Sequence, residues 1–364
     1  MNIKNFINKI SYIFHLLILS KIFKKPYHVH FQLTRRCNFR CLSCCVWKNE
    51  ADLTSELKLE EIKILAENLR KIGVKSVALT GGEPLLRKDL FEIINIFKKN
   101  NFIVRLQTNG CLINEDFIKK IFSIGLDDIY VSLDSLKPDI FTKINGLENE
   151  NIFYKVVENI KKTSVIAKKY GVGVFLTTVL QPINIEEVEN LNKFAQENNC
   201  LIGFYGLEMG DETDKNNIRS CDSQLLPDEK QKKSLKETFV KIKQLKKEKK
   251  SPIFNSNKLL DDFINYYSSS NLNMRWNCNA GDYYLEVFAN GLLGVCNATP
   301  EISGFDYKNI KDLYKNKEKE KIFKKYRKKC NGCICTRQLE YLVNDFSDII
   351  NKSLQYINKF IISI

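Results

Sequence analysis

His28–Cys45 reads HVHFQLTRRCNFRCLSCC, and this stretch decides how the rest of the chain is read. Its first six residues alternate, with His28, His30 and Gln32 on one side and Val29, Phe31 and Leu33 on the other, the period of a β-strand. Cys37, Cys41 and Cys44 follow at once, spaced by three and two residues. A loop directly after a strand can wrap three such thiolates around the corners of one iron–sulfur cubane, leaving one iron without a protein thiolate. An open coordination position is what a catalytic metal site requires. A zinc knuckle is the competing reading of the same thiols; it needs a fourth ligand, for which Cys45 stands adjacent.

Downstream the pattern alternates strand-like and helix-like segments. Helical spacing runs over 57–72, 90–100, 115–122, about 152–170 and 185–197, and strands are expected at 76–79, 103–107, 128–133, 173–180 and 201–207. With the first strand this makes six βα units in parallel order. The expected fold is α/β, a partial (β/α)6 barrel of the TIM type with a small C-terminal cysteine-rich domain and flanking helices. Ligands of such folds bind at the C-terminal ends of the strands. Polar loops stand at those ends: Gly81-Gly82-Glu83-Pro84, Thr108-Asn109-Gly110 and Ser132-Leu133-Asp134-Ser135. Each alone reads as a turn or cap.

Together the CxxxCxxC loop, the GGEP loop and the two later strand ends resemble the radical S-adenosylmethionine (SAM) superfamily over about residues 28–207. The resemblance implies a [4Fe-4S] cluster on Cys37, Cys41 and Cys44, with SAM chelated to the fourth iron and cleaved reductively to a 5′-deoxyadenosyl radical that abstracts hydrogen from a substrate. It also implies that Gly81, Gly82, Glu83, Asn109, Ser132 and Asp134 bind the cofactor. The glycines would permit close backbone approach, and the Glu83 carboxylate would pair with a cationic amine. The sequence departs from the family in one place: an aromatic residue usually precedes the third cysteine, where Ser43 stands, and Trp47 is the substitute candidate for stacking on adenine.

A second cysteine set follows. Cys278, twelve residues, Gly291, four residues and Cys296 resemble the opening of the SPASM extension of peptide-modifying radical enzymes, and Cys330, Cys333 and Cys335 complete a shorter set. This is similar to the reduced "twitch" variant, which implies one auxiliary [4Fe-4S] cluster on Cys278, Cys296, Cys330 and Cys333, with Cys335 able to replace one of them. A structural zinc on the same thiols is the alternative. Tyr283 to Ala289 and Leu292 to Val295, joined by Asn290-Gly291, read as a hairpin. Cys45, Cys111, Cys200 and Cys221 have no partner at metal spacing, and Cys111 and Cys200 read as small buried apolar residues. Glu208, at the end of the sixth strand, reads as a surface carboxylate in preference to an acid or base.

The 364 residues carry 57 Lys and Arg against 43 Asp and Glu, a net charge of +14. Much of the excess lies in lysine-rich stretches, 230–250 and 308–329, where glutamates intervene, so solvated helix faces are favoured over a nucleic-acid surface. An apolar run at 10–23 is shorter than the ~20 residues a bilayer needs, and no small-residue cleavage site follows it. It reads as a helix packed on the main domain, with a membrane interface as the lesser reading through that helix. The domain plan is an N-terminal amphipathic helix at 1–26, the barrel at 27–210, a helical linker at 211–270, the auxiliary-cluster domain at 271–340 and a C-terminal amphipathic helix at 341–364. Reduced thiols point to a cytoplasmic protein. The partners expected are a flavodoxin- or ferredoxin-like electron donor and a substrate that is a peptide or a sugar-like small molecule. The rival is a non-catalytic zinc or iron–sulfur protein docking on nucleic acid.

Overall fold

The computed structural model describes residues 24–49, 56–207, 225–248, 251–269, 278–296, 299, 301–329 and 334. Six βα units build it. The strands are β1 (His28–Thr34), β2 (Ser76–Gly81), β3 (Ile103–Thr108), β4 (Asp128–Ser132), β5 (Gly173–Leu180) and β6 (Leu201–Gly206), and neighbours in sequence pair in parallel. Between them run α1 (Leu59–Ile72), α2 (Leu90–Lys99), α3 (Glu115–Ser123), α4 (Pro138–Asn145), α5 (Asn151–Tyr170) and α6 (Val188–Glu197). This is the α/β architecture expected from the alternation.

Strand period decides the two faces of the sheet. Val29, Phe31, Leu33, Val77, Leu79, Val104, Leu106, Ile129 and Val131 are almost fully buried in one apolar cluster with the inner stripes of α1 and α2. Complete burial of each such side chain is worth ~1.5–3 kcal/mol, and a one-residue slip would turn a whole set outward, so register is set on this face. The opposite face carries His28, His30, Gln32, Arg105, Gln107, Asp128 and Tyr130, a polar concave surface below the strand ends.

Three features go beyond the sequence pattern. Pro138 opens α4, where its missing N–H costs nothing, and the helix stops at Gly146 in the left-handed region (φ 59°). This helix of eight residues is not among the helical segments read from the sequence pattern. The hairpin of the second cysteine region is not free-standing: β7 (Tyr284–Val287) pairs in parallel with β1 and antiparallel with β8 (Leu293–Gly294), extending one sheet to eight strands. At the far edge, residues 252–255 cover β6. Ile202 N–H donates to Pro252 O, Phe254 N–H to Ile202 O, and Asn255 bonds both the N–H and the carbonyl of Phe204, so this edge is paired instead of left open. Phe254 sits where a Cβ on Gly203 would lie, 2.5 Å from its ring, and meets Phe175 edge-on at 5.3 Å.

Beyond the barrel lie α7 (Glu229–Leu245), α8 (Asn257–Tyr266), α9 (Ile310–Lys315) and α10 (Lys319–Lys329). Among the described residues no helix is long and apolar enough to cross a membrane. The expected N-terminal helix, apart from residues 24–26, and the C-terminal helix lie outside the described residues, as do Glu208, Cys221, Cys330, Cys333 and Cys335.

Candidate active site

The cysteine loop leaves β1 and is held from two sides. Gly82 N–H donates to Thr34 O (2.8 Å) and Glu83 N–H to Arg36 O (2.7 Å), so the glycine loop continues the pairing of β2 with β1. A Cβ on Gly82 would stand 2.1 Å from Arg36 O. The close approach that glycine permits is therefore loop against loop. From the other side Arg40 N–H donates to Asn145 O and Leu42 N–H to Ile144 O, and a Cβ on Gly146 would meet Arg40 O at 2.3 Å. Cys41 Sγ donates to Asn145 Oδ1 at 3.2 Å. Phe39, only 2% exposed, anchors the loop edge-on against Phe141.

The three thiols are partly buried and feel one another. Burial pushes Cys37 up to about 11, with the charges of Glu83 and Cys44 adding to it. Burial raises Cys41 well above the ordinary thiol value, and Cys44, Asp134 and Cys37 add to that. Cys44 is raised by burial as well. Without a cation the loop thus holds protonated thiols, and metal uptake must release those protons. Among the described residues no three His, Cys, Asp or Glu side chains converge closely enough for a single ion. Three neighbouring thiols on one loop, each available to a different iron, fit a cubane by donor chemistry and number.

Glu83 is fully buried and its carboxylate is already engaged. Thr108 Oγ1 and Leu85 N–H donate to Oε1 (2.8 and 3.0 Å), and Asn109 N–H donates to Oε2 (2.8 Å). Burial outweighs these bonds and lifts its pKa to about 6. The side chain joins the glycine loop to the end of β3, and Oε2, with the single donor Asn109 N–H, keeps acceptor capacity for a further donor. Asn109 extends the tie, its Nδ2 donating to Asn38 Oδ1 inside the cysteine loop (2.8 Å).

Ser132 is exposed at the end of β4. Asp134 is buried, Oδ1 accepting from Val179 N–H (2.8 Å), and burial raises it to about 6. Two groups that sequence reasoning missed hold this turn: Asn184 Nδ2 donates to Asp134 O (2.8 Å), and buried Glu187 accepts from Leu136 N–H (3.1 Å) and pairs with Lys137. Asn145 and Gly146 were missed as well. A "Asn-Gly" ending a short helix was the available signal. Trp47 lies on the cysteine loop, its Nε1–H donating to Cys41 O (3.2 Å), with the Arg40 guanidinium 5.4 Å from its ring centre.

Of the second set, Cys278 and Cys296 flank the β7–β8 hairpin. Cys278 is half-buried, its Sγ 3.5 Å from Tyr284 OH, and Cys296 is buried. Cys111 and Cys200 are buried, as expected of small apolar residues, and Cys45 is buried as well.

A family model for the radical SAM superfamily matches residues 31–195, the span that holds the cysteine loop and all three later strand ends. The chain carries a radical SAM domain. That family uses a [4Fe-4S] cluster and SAM. The chain is 31% identical over 221 residues to the GTP 3',8-cyclase of Nautilia profundicola, covering 58% of this chain and 65% of that one. It is 33% identical over 170 residues to the 7,8-dihydro-6-hydroxymethylpterin dimethyltransferase of Methanocaldococcus jannaschii, covering 46% and 33%. The match thus spans from a third to just under two thirds of these relatives' length. In fold, the chain is similar to native anSMEcpe with bound AdoMet and Cp18Cys peptide, with TM-score 0.58, 18% identity, and 86% and 87% of the two chains covered.

Proposed function

We propose that this chain is a radical SAM enzyme that cleaves SAM reductively at a cluster on Cys37, Cys41 and Cys44 and abstracts hydrogen from a substrate on the concave face of the sheet. The observation that carries the reading is the convergence of the three thiols, Asn109, Ser132 and Asp134 at the C-terminal ends of adjacent parallel strands. When bound, the cluster and SAM supply the electron transfer and the 5′-deoxyadenosyl radical. The chain's own residues do the rest. Cys37, Cys41 and Cys44 would hold the cluster through three thiolates, and Asn109, Ser132 and Asp134 would bind SAM. Asp134 and Ser132 offer oxygens to amino or ribose groups, and the glycine loop offers its backbone. The apolar packing outside the sheet keeps water to the concave side.

For the substrate, the relatives above 30% identity direct attention away from the peptide or sugar-like molecule expected from sequence. The cyclase named for GTP makes a purine nucleotide the first candidate. For the second cysteine set we keep the auxiliary [4Fe-4S] cluster on Cys278, Cys296, Cys330 and Cys333, with a low-potential flavodoxin- or ferredoxin-like protein as electron donor. The test is anaerobic reconstitution with iron and sulfide, then dithionite and SAM. Formation of 5′-deoxyadenosine, lost in Cys41→Ala, supports the reading; equal formation in both proteins, or none in the wild type, refutes it.

A further inference from the structure

One buried cation near the site takes no part in the chemistry above. Arg87 follows the glycine loop, its side chain is only 6% exposed, and all five of its N–H bonds are used. Nε donates to Asp89 Oδ1 (2.8 Å) and Nη2 to Asp89 Oδ2 (2.7 Å). Nη1 donates to Leu33 O (3.1 Å) and Glu56 Oε2 (3.3 Å), and Nη2 also to Leu57 O (2.9 Å). Leu33 lies four residues ahead of Cys37, and Glu56 and Leu57 lie twelve and thirteen residues after Cys44. One guanidinium therefore grips both ends of the segment that bears Cys37, Cys41 and Cys44.

Glu56 carries the grip into the loop. Its carboxylate accepts from Arg36 Nε (2.9 Å) and Nη2 (3.1 Å) and from the Thr34 hydroxyl, and Arg36 adjoins Cys37. Arg36 O in turn accepts the Glu83 N–H. The path Arg87–Glu56–Arg36 thus runs from the foot of the glycine loop to the first cysteine. A planar fork is required for it, because a lysine has three donors at one point and cannot reach two separated carbonyls and two carboxylates together.

We propose that Arg87 and Glu56 are positioning residues that staple the entrance and exit of the cysteine loop, and that the loop holds its cluster and SAM only when so stapled. Closing a loop of this length costs chain entropy, and the staple places that cost in folding, ahead of cluster binding. The inference rests on the reading of the loop as the cluster site.

The experiment compares full-length wild type, Arg87→Lys and Glu56→Gln with a control, Asp127→Asn, which breaks the buried Lys98–Asp127 pair (2.5 Å) between α2 and the start of β4. Each protein is reconstituted anaerobically and reduced with dithionite. Thermal melting, the SAM-induced change in the electron paramagnetic resonance spectrum, and the SAM dissociation constant are read. Arg87→Lys and Glu56→Gln should keep their circular dichroism but lose most of the spectral change and bind SAM ~10-fold or more weakly. Asp127→Asn should melt earlier yet keep both signals. Wild-type spectra and affinity in Arg87→Lys and Glu56→Gln overturn the staple alone, and so does an equal loss in Asp127→Asn. If Arg87→Lys does not fold, Glu56→Gln decides by the same criterion. A wild type without any cluster signal removes the cluster reading and the staple with it.

Discussion

The two cysteine regions of this molecule are built on opposite principles. The first concentrates Cys37, Cys41 and Cys44 on one loop, and the surrounding strand ends hold that loop by backbone contacts too close for any side chain, at Gly82 and Gly146. The second spreads its thiols along the chain: Cys278 precedes β7, Cys296 follows β8, and the hairpin between them is a continuation of the main sheet. A site made by one loop has all its thiols in one short segment, whereas a site made by distant segments needs the sheet to bring them together. The regions also touch, since Leu57 N–H, at the exit of the first loop, donates to Ala289 O in the hairpin turn (3.0 Å).

The contrast breaks most directly at the first loop. Cys41→Ala should abolish 5′-deoxyadenosine formation, assayed by chromatography after dithionite reduction, while the second region keeps its iron. Gly146→Ala should come next. It forces a Cβ into Arg40 O at a left-handed position, a strain of roughly 1–3 kcal/mol before the clash is counted. We expect lower iron content, weaker SAM binding by calorimetry and a lower melting temperature. On the proposed auxiliary cluster, Cys278→Ala with Cys296→Ala should remove about half of the bound iron. SAM cleavage without substrate should persist, because the first loop does not depend on those thiols.

The smallest effect concerns the strand the two regions share. His28 on β1 is buried beside Ser76, with Nδ1 2.9 Å from Oγ, and burial with nearby His30 and Arg105 holds its pKa well below 6.5. It is neutral in the fold, so its contribution is complete above pH 6.5 and is lost as pH falls below that value, where only the unfolded chain takes up the proton. Denaturant titrations between pH 7.5 and 5.5 should show this loss, at most about 1.4 kcal/mol per pH unit, reduced in His28→Gln. Glu83 and Asp134, with raised values, act in the opposite direction below about pH 6, so the difference between the two proteins is the quantity to read.

Much of the fold was legible because strand period and burial coincide. The strand expected at 173–180 has those bounds, and the other five differ from expectation by one or two residues. The site's positions at strand ends were legible for the same reason. What was hidden depends on contacts between segments far apart in sequence. The grip of Asn145 and Gly146 comes from a short helix whose pattern is too brief to read. The carboxylate of Glu83 was expected to face a ligand, and nothing local reveals that it also ties its own loop to the end of β3 through Thr108 and Asn109. Arg87 carries no signal in the sequence, since nothing local reveals that Leu33 and Leu57 lie within reach. The pairing of β7 with β1 joins residues some 250 apart, beyond any local period.

The central claim is that the cysteine loop leaves one iron of its cube for SAM. Mössbauer spectroscopy of the chain reconstituted with 57Fe, with and without SAM, tests it most directly. The account predicts that one iron of the first cube changes its isomer shift on SAM addition, and that Cys41→Ala lacks this change. A cube whose irons all ignore SAM, or a first loop that takes up zinc in place of iron, would contradict it.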